Sequence, residues 1–135
     1  MVLVTNIGYI SGETHGIIDS MWEWGCKWCP HSDYFPGTQN TGIGWSLYNT
    51  IYVSGLTVGA CDDARHYAVS GYTDWCIANS TECDYLNYSQ VGVYYWTTHK
   101  DHTNLWLVLG VRQGDYNHSW INQTNSGIAR MMRYF

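Results

Sequence analysis

Charge is what this sequence has least of. Charged residues occupy 13% of the 135 positions, against a usual share of roughly a quarter. The shortage is sharpest among bases: Lys+Arg number 6 and Asp+Glu 11, for a net charge of −5. With no basic run to neutralise phosphates, nucleic acid is not an expected partner. Long apolar runs are missing as well. No stretch approaches the ~18 residues that a membrane-spanning helix requires, so no membrane insertion is expected. The start, Met1-Val2-Leu3-Val4-Thr5-Asn6, has no basic region and a very short apolar run, unlike a secretory signal. The expectation is a protein kept in a cytosol, matured from a precursor or released by lysis.

Aromatic residues are plentiful instead. They make up 16% of the chain, with Trp at 8 and Tyr at 12, which excludes a disordered tail. The length suits one domain, and no linker, repeat or low-complexity tract divides it, so residues 1–135 read as a single domain.

There are five cysteines, Cys26, Cys29, Cys61, Cys76 and Cys83. An odd number without a secretory signal favours free thiols acting as small core residues. Cys26-Lys27-Trp28-Cys29-Pro30-His31 contains a C-x-x-C pair, half of many zinc sites and also a redox motif. A matching second half is absent. Cys76 and Cys83 lie seven apart, and His99 and His102 fall on what reads as a loop. The alternating strands and helices of a thioredoxin-type context are missing too. Neither a metal nor any other cofactor is therefore expected.

Gly and Asn punctuate the chain every eight to twelve residues, the pattern of many short strands and tight turns. Trp22-Glu23-Trp24 alternates like a strand, and Leu47 to Val58 is apolar and β-branched, interrupted by Ser54-Gly55. Asp62 to Val69 suits two turns of helix, with acidic residues at the positive end and Gly71 as C-terminal cap. A second short helix is predicted from Asn79, an N-cap residue, with Glu82 three positions later in a capping-box arrangement. Cys83 and Leu86 would face inward from it. Strands are predicted over Leu105–Arg112, Tyr116–Asn122 and Gly127–Tyr134, the first two joined by a turn at Gln113-Gly114-Asp115. The expected fold class is α+β, loop-rich, with two short helices and a small, mostly antiparallel sheet.

One ordered series runs through the second half. It comprises Asp62-Asp63-Ala64-x-x-Tyr67, then Gly71-Tyr72-Thr73-Asp74-Trp75, the capped helix with Glu82 and Leu86, Tyr95-Trp96-Thr97-Thr98, Trp106, Gly114, and Arg130-x-x-Arg133. This series resembles the bacterial domain family found at the C-terminus of the collagen-like adhesin Lcl. It is also similar to the Fib-succ major paralogous domain. Those families read W-D-D-A, G-Y-T-D-W-R-L-P-T, a helix with E-L, Y-W-S-S and a terminal V-R-C-V-R. The resemblance covers residues 61–133. It departs at Cys61, where the family has Trp, and at Cys76-Ile77-Ala78-Asn79, which replaces R-L-P-T. The family's early T-G-L-x-W segment is not evident, and Gly16 to Trp22 is a distant echo of it. Residues 1–60 thus read as a divergent part that could serve as an assembly surface.

The resemblance implies a C-type-lectin-like fold, in the group that also includes formylglycine-generating enzymes, and a non-catalytic binding module. Such domains adhere to polysaccharides or form receptor-binding tips of phages. A phage virion component, such as a head decoration, fibre or tail protein, is the expectation for a bare domain without an export signal. The expected partners are other virion subunits or copies of itself, and a host-surface glycan or receptor. A secreted bacterial adhesin and a formylglycine-generating-enzyme-like oxidase are the alternatives, the latter because of Cys76 and Cys83. No paired carboxylates, nucleophile elbow or phosphate loop supports catalysis.

Alternation supplies the candidate ligand face. His99, Lys100, His102 and Asn104 form a loop leading to Arg112, and Tyr116, His118, Trp120 and Asn122 share one parity across the turn. Tyr and Trp give large amphipathic contact area, and Asn and Ser adaptable hydrogen bonds. Trp75, Trp96 and Trp106 are assigned to the core, with Asp74 expected to bond backbone. Four Asn-x-Ser/Thr acceptor sequences are attributed to chance in so Asn-rich a chain.

Overall fold

The computed structural model describes residues 2–3, 16–30, 42–68, 70–86, 88, 90–101, 103–104, 107–112 and 117–135. Its elements are strands β1 (Val2–Leu3) and β2 (Gly16–Lys27), helices α1 (Ser46–Ser54) and α2 (Ala60–His66), and strand β3 (Cys76–Ile77). A 3₁₀ turn (Glu82–Tyr85) and strands β4 (Tyr94–Lys100), β5 (Leu107–Arg112), β6 (Asn117–Asn122) and β7 (Ser126–Tyr134) complete it. The class is α+β. One seven-stranded sheet has the order β1-β2-β7-β4-β5-β6, with β3 also on β7. All pairings are antiparallel except β4 with β7, so the sheet is mixed.

β7 organises the sheet because its two faces feed two cores. Ala129 and Met131 join Trp28, Val53, Ala60, Cys61, Ala64, Trp75, Ile77, Trp96 and Val108 under the helices. Met132, one residue on, joins Ile17, Cys76, Ala78, Cys83, Leu86, Tyr88, Tyr95 and Val111 on the opposite face. Residues covered on both sides read as near-continuous apolar runs, as in Leu107–Val111. The described part of residues 1–60 belongs to this structure rather than to a separate layer: β2 pairs along β7, and Val53 of α1 lies in the first core. Among the described residues no helix is long and apolar enough to cross a membrane.

Two local expectations need correction, and one segment that the sequence pattern leaves unassigned takes a definite form. Leu47–Val58, apolar and β-branched, is largely helical. Ser46, Asn49, Thr50 and Val53 are buried at helical spacing, while Tyr48, Ile51 and Tyr52 are exposed. The apolar side of α1 thus faces outward, which disguises its period. The helix over Asp62–Val69 is α2, which ends at His66 with Tyr67 already extended; Gly71 lies in a later turn at φ 79°. The second helix is a single 3₁₀ turn. Asn79 Oδ1 does accept from the Thr81 and Glu82 backbone N–H groups. Glu82 does not reach back to the Asn79 N–H, which donates to Ser46 Oγ instead. Its buried carboxylate accepts from Ser46 Oγ, the Gly44 N–H (2.7 Å) and Tyr134 Oη (2.7 Å). The carboxylate therefore joins α1 and β7 to this turn.

A buried arginine cluster and a half-exposed ion pair fix the rest. Arg130, 2% exposed, donates to Asp19 at 2.7 Å through Nε and Nη2, and to Glu23 through Nη1. A bulge in β2 between Asp19 and Glu23, with Met21 at φ 61°, sets both carboxylates on one guanidinium. Asp74 keeps the expected backbone hydrogen bond, to its own residue, and in addition forms a two-bond fork with Arg133 at 2.9 Å.

Candidate functional site

The candidate face is built where β6, the edge strand, passes the 3₁₀ turn. The β5–β6 register pairs Val111 with His118, Leu109 with Trp120 and Leu107 with Asn122. Partners directly opposite project to the same side, so His118, Trp120 and Asn122 share one face. β4 reaches this face through an irregularity between Trp96 and Lys100, where three residues stand against Leu109. There Thr97 Oγ1 donates to the Leu109 carbonyl at 2.8 Å and accepts from the His99 N–H. The His99 ring meets Trp120 edge-on, with centroids 5.3 Å apart, and its Nδ1 lies 3.1 Å from Ser80 Oγ. Trp120 is 44% exposed. His118 Nε2 lies 3.0 Å from Asp84 Oδ1 of the 3₁₀ turn. The cluster is therefore Ser80, Asp84, His99, His118 and Trp120.

Other expected members fall elsewhere. Lys100 is not a surface residue: it is fully buried, with Nζ 5.3 Å from the Trp28 ring centre. It is the last residue of β4 rather than part of a loop, and the register shift pairs it with Val108 in the first core. Arg112 is opposite position 117, not 118, so it projects from the other side of the sheet. It lies 5.8 Å from the Tyr94 ring centre there. The hairpin pairs even with odd numbers, which separates Arg112 from the even residues of β6. Asn122 closes a turn by accepting from the Thr124 N–H and Oγ1. Asn104 is exposed, and its N–H donates to Asp101 Oδ1 in a similar turn. His102, Tyr116 and Trp106 lie outside the described residues. Trp75 and Trp96 are buried, at 4% and 2%.

The Arg112 side carries a surface that sequence alternation did not single out. Gly25, Val93, Tyr94, Ile121, Asn125, Ser126, Gly127 and Ile128 line a mostly apolar open groove of about 500 Å³. Tyr94 Oη shares a 3.3 Å hydrogen bond with Ser119 Oγ. The signal was the alternate set of β6, Ser119 and Ile121, which passes over Gly110 while the other set carries the more conspicuous His and Trp.

The chain matches no protein-family model, no curated protein and no solved structure. The geometry and chemistry of its residues carry the reading that follows.

The thiols offer little nucleophilic chemistry. All five are free, and four are buried. Burial pushes Cys26 up to about 12 and raises Cys61, Cys76 and Cys83 still further, so each is a neutral thiol at neutral pH. The exposed face instead combines an indole, two imidazoles, a hydroxyl and a carboxylate, which suits stacking and hydrogen bonding to a polar ligand.

Proposed function

We propose that this chain is a non-catalytic, C-type-lectin-like binding and structural module of the Lcl C-terminal and Fib-succ type, carried on a phage virion. It presents the Trp120 face to a host-surface glycan. The observation that carries the binding reading is the half-exposed Trp120 ring, braced by His99 and flanked by His118. A sugar's C–H face stacks on such a ring while its hydroxyls exchange hydrogen bonds with the imidazoles. The family reading is supported by what its motif residues do: Asp74 of Gly71–Trp75 pairs with the terminal Arg133, and Glu82 anchors the capped turn to α1 and β7.

Self-assembly is supported by α1. Tyr48, Ile51 and Tyr52 on its outer side are exposed, as are the flanking Trp45, Leu56 and Val58, and this stretch of sequence carries no charged residue. Such a patch is complemented by an equally apolar one, and a second copy of this chain supplies it.

Two measurements test the proposal. The native particle carrying this chain is expected to be a large symmetric assembly with many copies; a free monomer or trimer removes the virion reading and favours a secreted adhesin. On a glycan array the protein is expected to bind, and Trp120→Ala should lower affinity about tenfold, roughly 1.4 kcal/mol, with an unchanged melting temperature. Equal affinity of the variant excludes Trp120 from the site.

A further inference from the structure

The junction of β6 with the 3₁₀ turn holds a second kind of chemistry. Cys83 and Asp84 are adjacent in the turn, and His118 meets them from the edge strand. His118 Nε2 lies 3.0 Å from Asp84 Oδ1, and Cys83 Sγ lies 3.8 Å from the same oxygen. One ligand atom from each of the three residues falls within 4.8 Å of the others. Bonds of 2.0–2.3 Å around a tetrahedral ion set its ligands roughly 3.3–3.8 Å apart, so shifts of about an ångström or less suffice. A hydrogen bond between Asp84 and His118 would explain those two groups alone. The thiol within reach of both makes them a sulfur, nitrogen and oxygen donor set.

The platform is held in place by other residues. Asn79 caps the turn, Glu82 ties it to Ser46 and Tyr134, and the buried Tyr88 hydrogen-bonds with Cys83. Such support fixes ligand direction before an ion arrives. The accessible side is equally defined. Cys83 is fully buried, whereas the side chains of His118 and Asp84 are 31% and 50% exposed.

We propose that Cys83 Sγ, Asp84 Oδ1 and His118 Nε2 form a binding site for a zinc-class divalent ion, with a further coordination position facing solvent. A thiolate and an imidazole select zinc or its neighbours over calcium and magnesium, which take oxygen ligands. On binding, the Cys83 thiol releases its proton to solvent and sulfur bonds the metal. The ion then clasps the edge strand β6 to the 3₁₀ turn beside Trp120. This inference does not rest on the glycan reading, and its test needs no glycan.

Cobalt(II) titration of the reduced, full-length protein is the test. The expected result is one ion per chain, with the near-ultraviolet thiolate-to-cobalt band and the visible bands of four-coordinate cobalt, both abolished by zinc. Cys83→Ser should remove the thiolate band. His118→Ala, on an exposed strand where folding is not at risk, should weaken cobalt binding at least about tenfold. Cys26→Ser should leave both signals intact, because Cys26-x-x-Cys29 is the competing thiol pair. Absence of the thiolate band in the native protein overturns the proposal. So does a band that survives Cys83→Ser, an affinity unchanged in His118→Ala, or a signal lost in Cys26→Ser.

Discussion

Two tryptophans forty-five positions apart show how differently one residue type is used. Trp75 is 4% exposed, its ring edge-on to Tyr67 at 5.9 Å, in the core beneath α2. Trp120 stands on the edge strand with nearly half its surface in water. Trp75→Ala should therefore destabilise the protein by about 3–5 kcal/mol, read from urea denaturation, because the cavity it leaves cannot collapse. A variant of native stability would remove Trp75 from the core. Lys100 makes the opposite point. Its place beside two polar neighbours made it look solvent-facing, and only the register of β4 directs it over Trp28. Burial of this long cationic side chain depends on the aromatic face of Trp28, far from Lys100 in sequence, which no local pattern records.

The C-terminal strands were the most legible elements, while β4, read as a loop at His99–Lys100, and α1 were the least. Predicted strands over Tyr116–Asn122 and Gly127–Tyr134 match β6 and β7 to within one residue, because alternation of period two is strong there. α1 escaped because its buried side is Ser, Asn, Thr and Val while its outer side is aromatic and aliphatic. Close contact with the sheet favours small inward residues, and an outward apolar face inverts the usual amphipathic signal. Glycine has a similar positional meaning in β7. A Cβ on Gly127 would stand 2.6 Å from Trp96 Cε2, whereas one on Gly25, which pairs with Ile128 from the adjoining β2, meets nothing within 4 Å. Gly127→Ala should cost about 1–3 kcal/mol through overpacking against the indole, and Gly25→Ala should leave the melting temperature nearly unchanged. Equal thermal melts for the two variants would refute the packing of Trp96 against this backbone.

At the scale of the whole molecule, the Asp74–Arg133 fork ties the Gly71–Trp75 segment to the last strand. The Arg133 guanidinium holds the Asp74 carboxyl below its ordinary value of 3.8. A depressed value in the folded state means the pair's contribution is full above that ordinary value and is lost as pH falls through the lower folded one. The native protein should thus lose thermal stability on acidification below about pH 4, where unfolded carboxyls take up protons. Asp74→Asn should melt lower at neutral pH and show a shallower acid-dependent fall. The effect is modest and salt-sensitive, since the Asp74 side chain is 43% exposed. Parallel melting profiles for the two proteins would exclude this linkage.

Composition, alternation and turn chemistry alone determined that this is an α+β domain with a C-terminal run of strands, buried thiols and a capped turn at Asn79. Each follows from residues close together in the chain. Tertiary structure decided which of the candidate residues meet. Hairpin register set Arg112 apart from Trp120, a bulge carried His99 to the indole and Lys100 inward, and the 3₁₀ turn delivered Asp84 to His118. Pairings between distant segments depend on register and packing, which fix side-chain direction only once the sheet has formed.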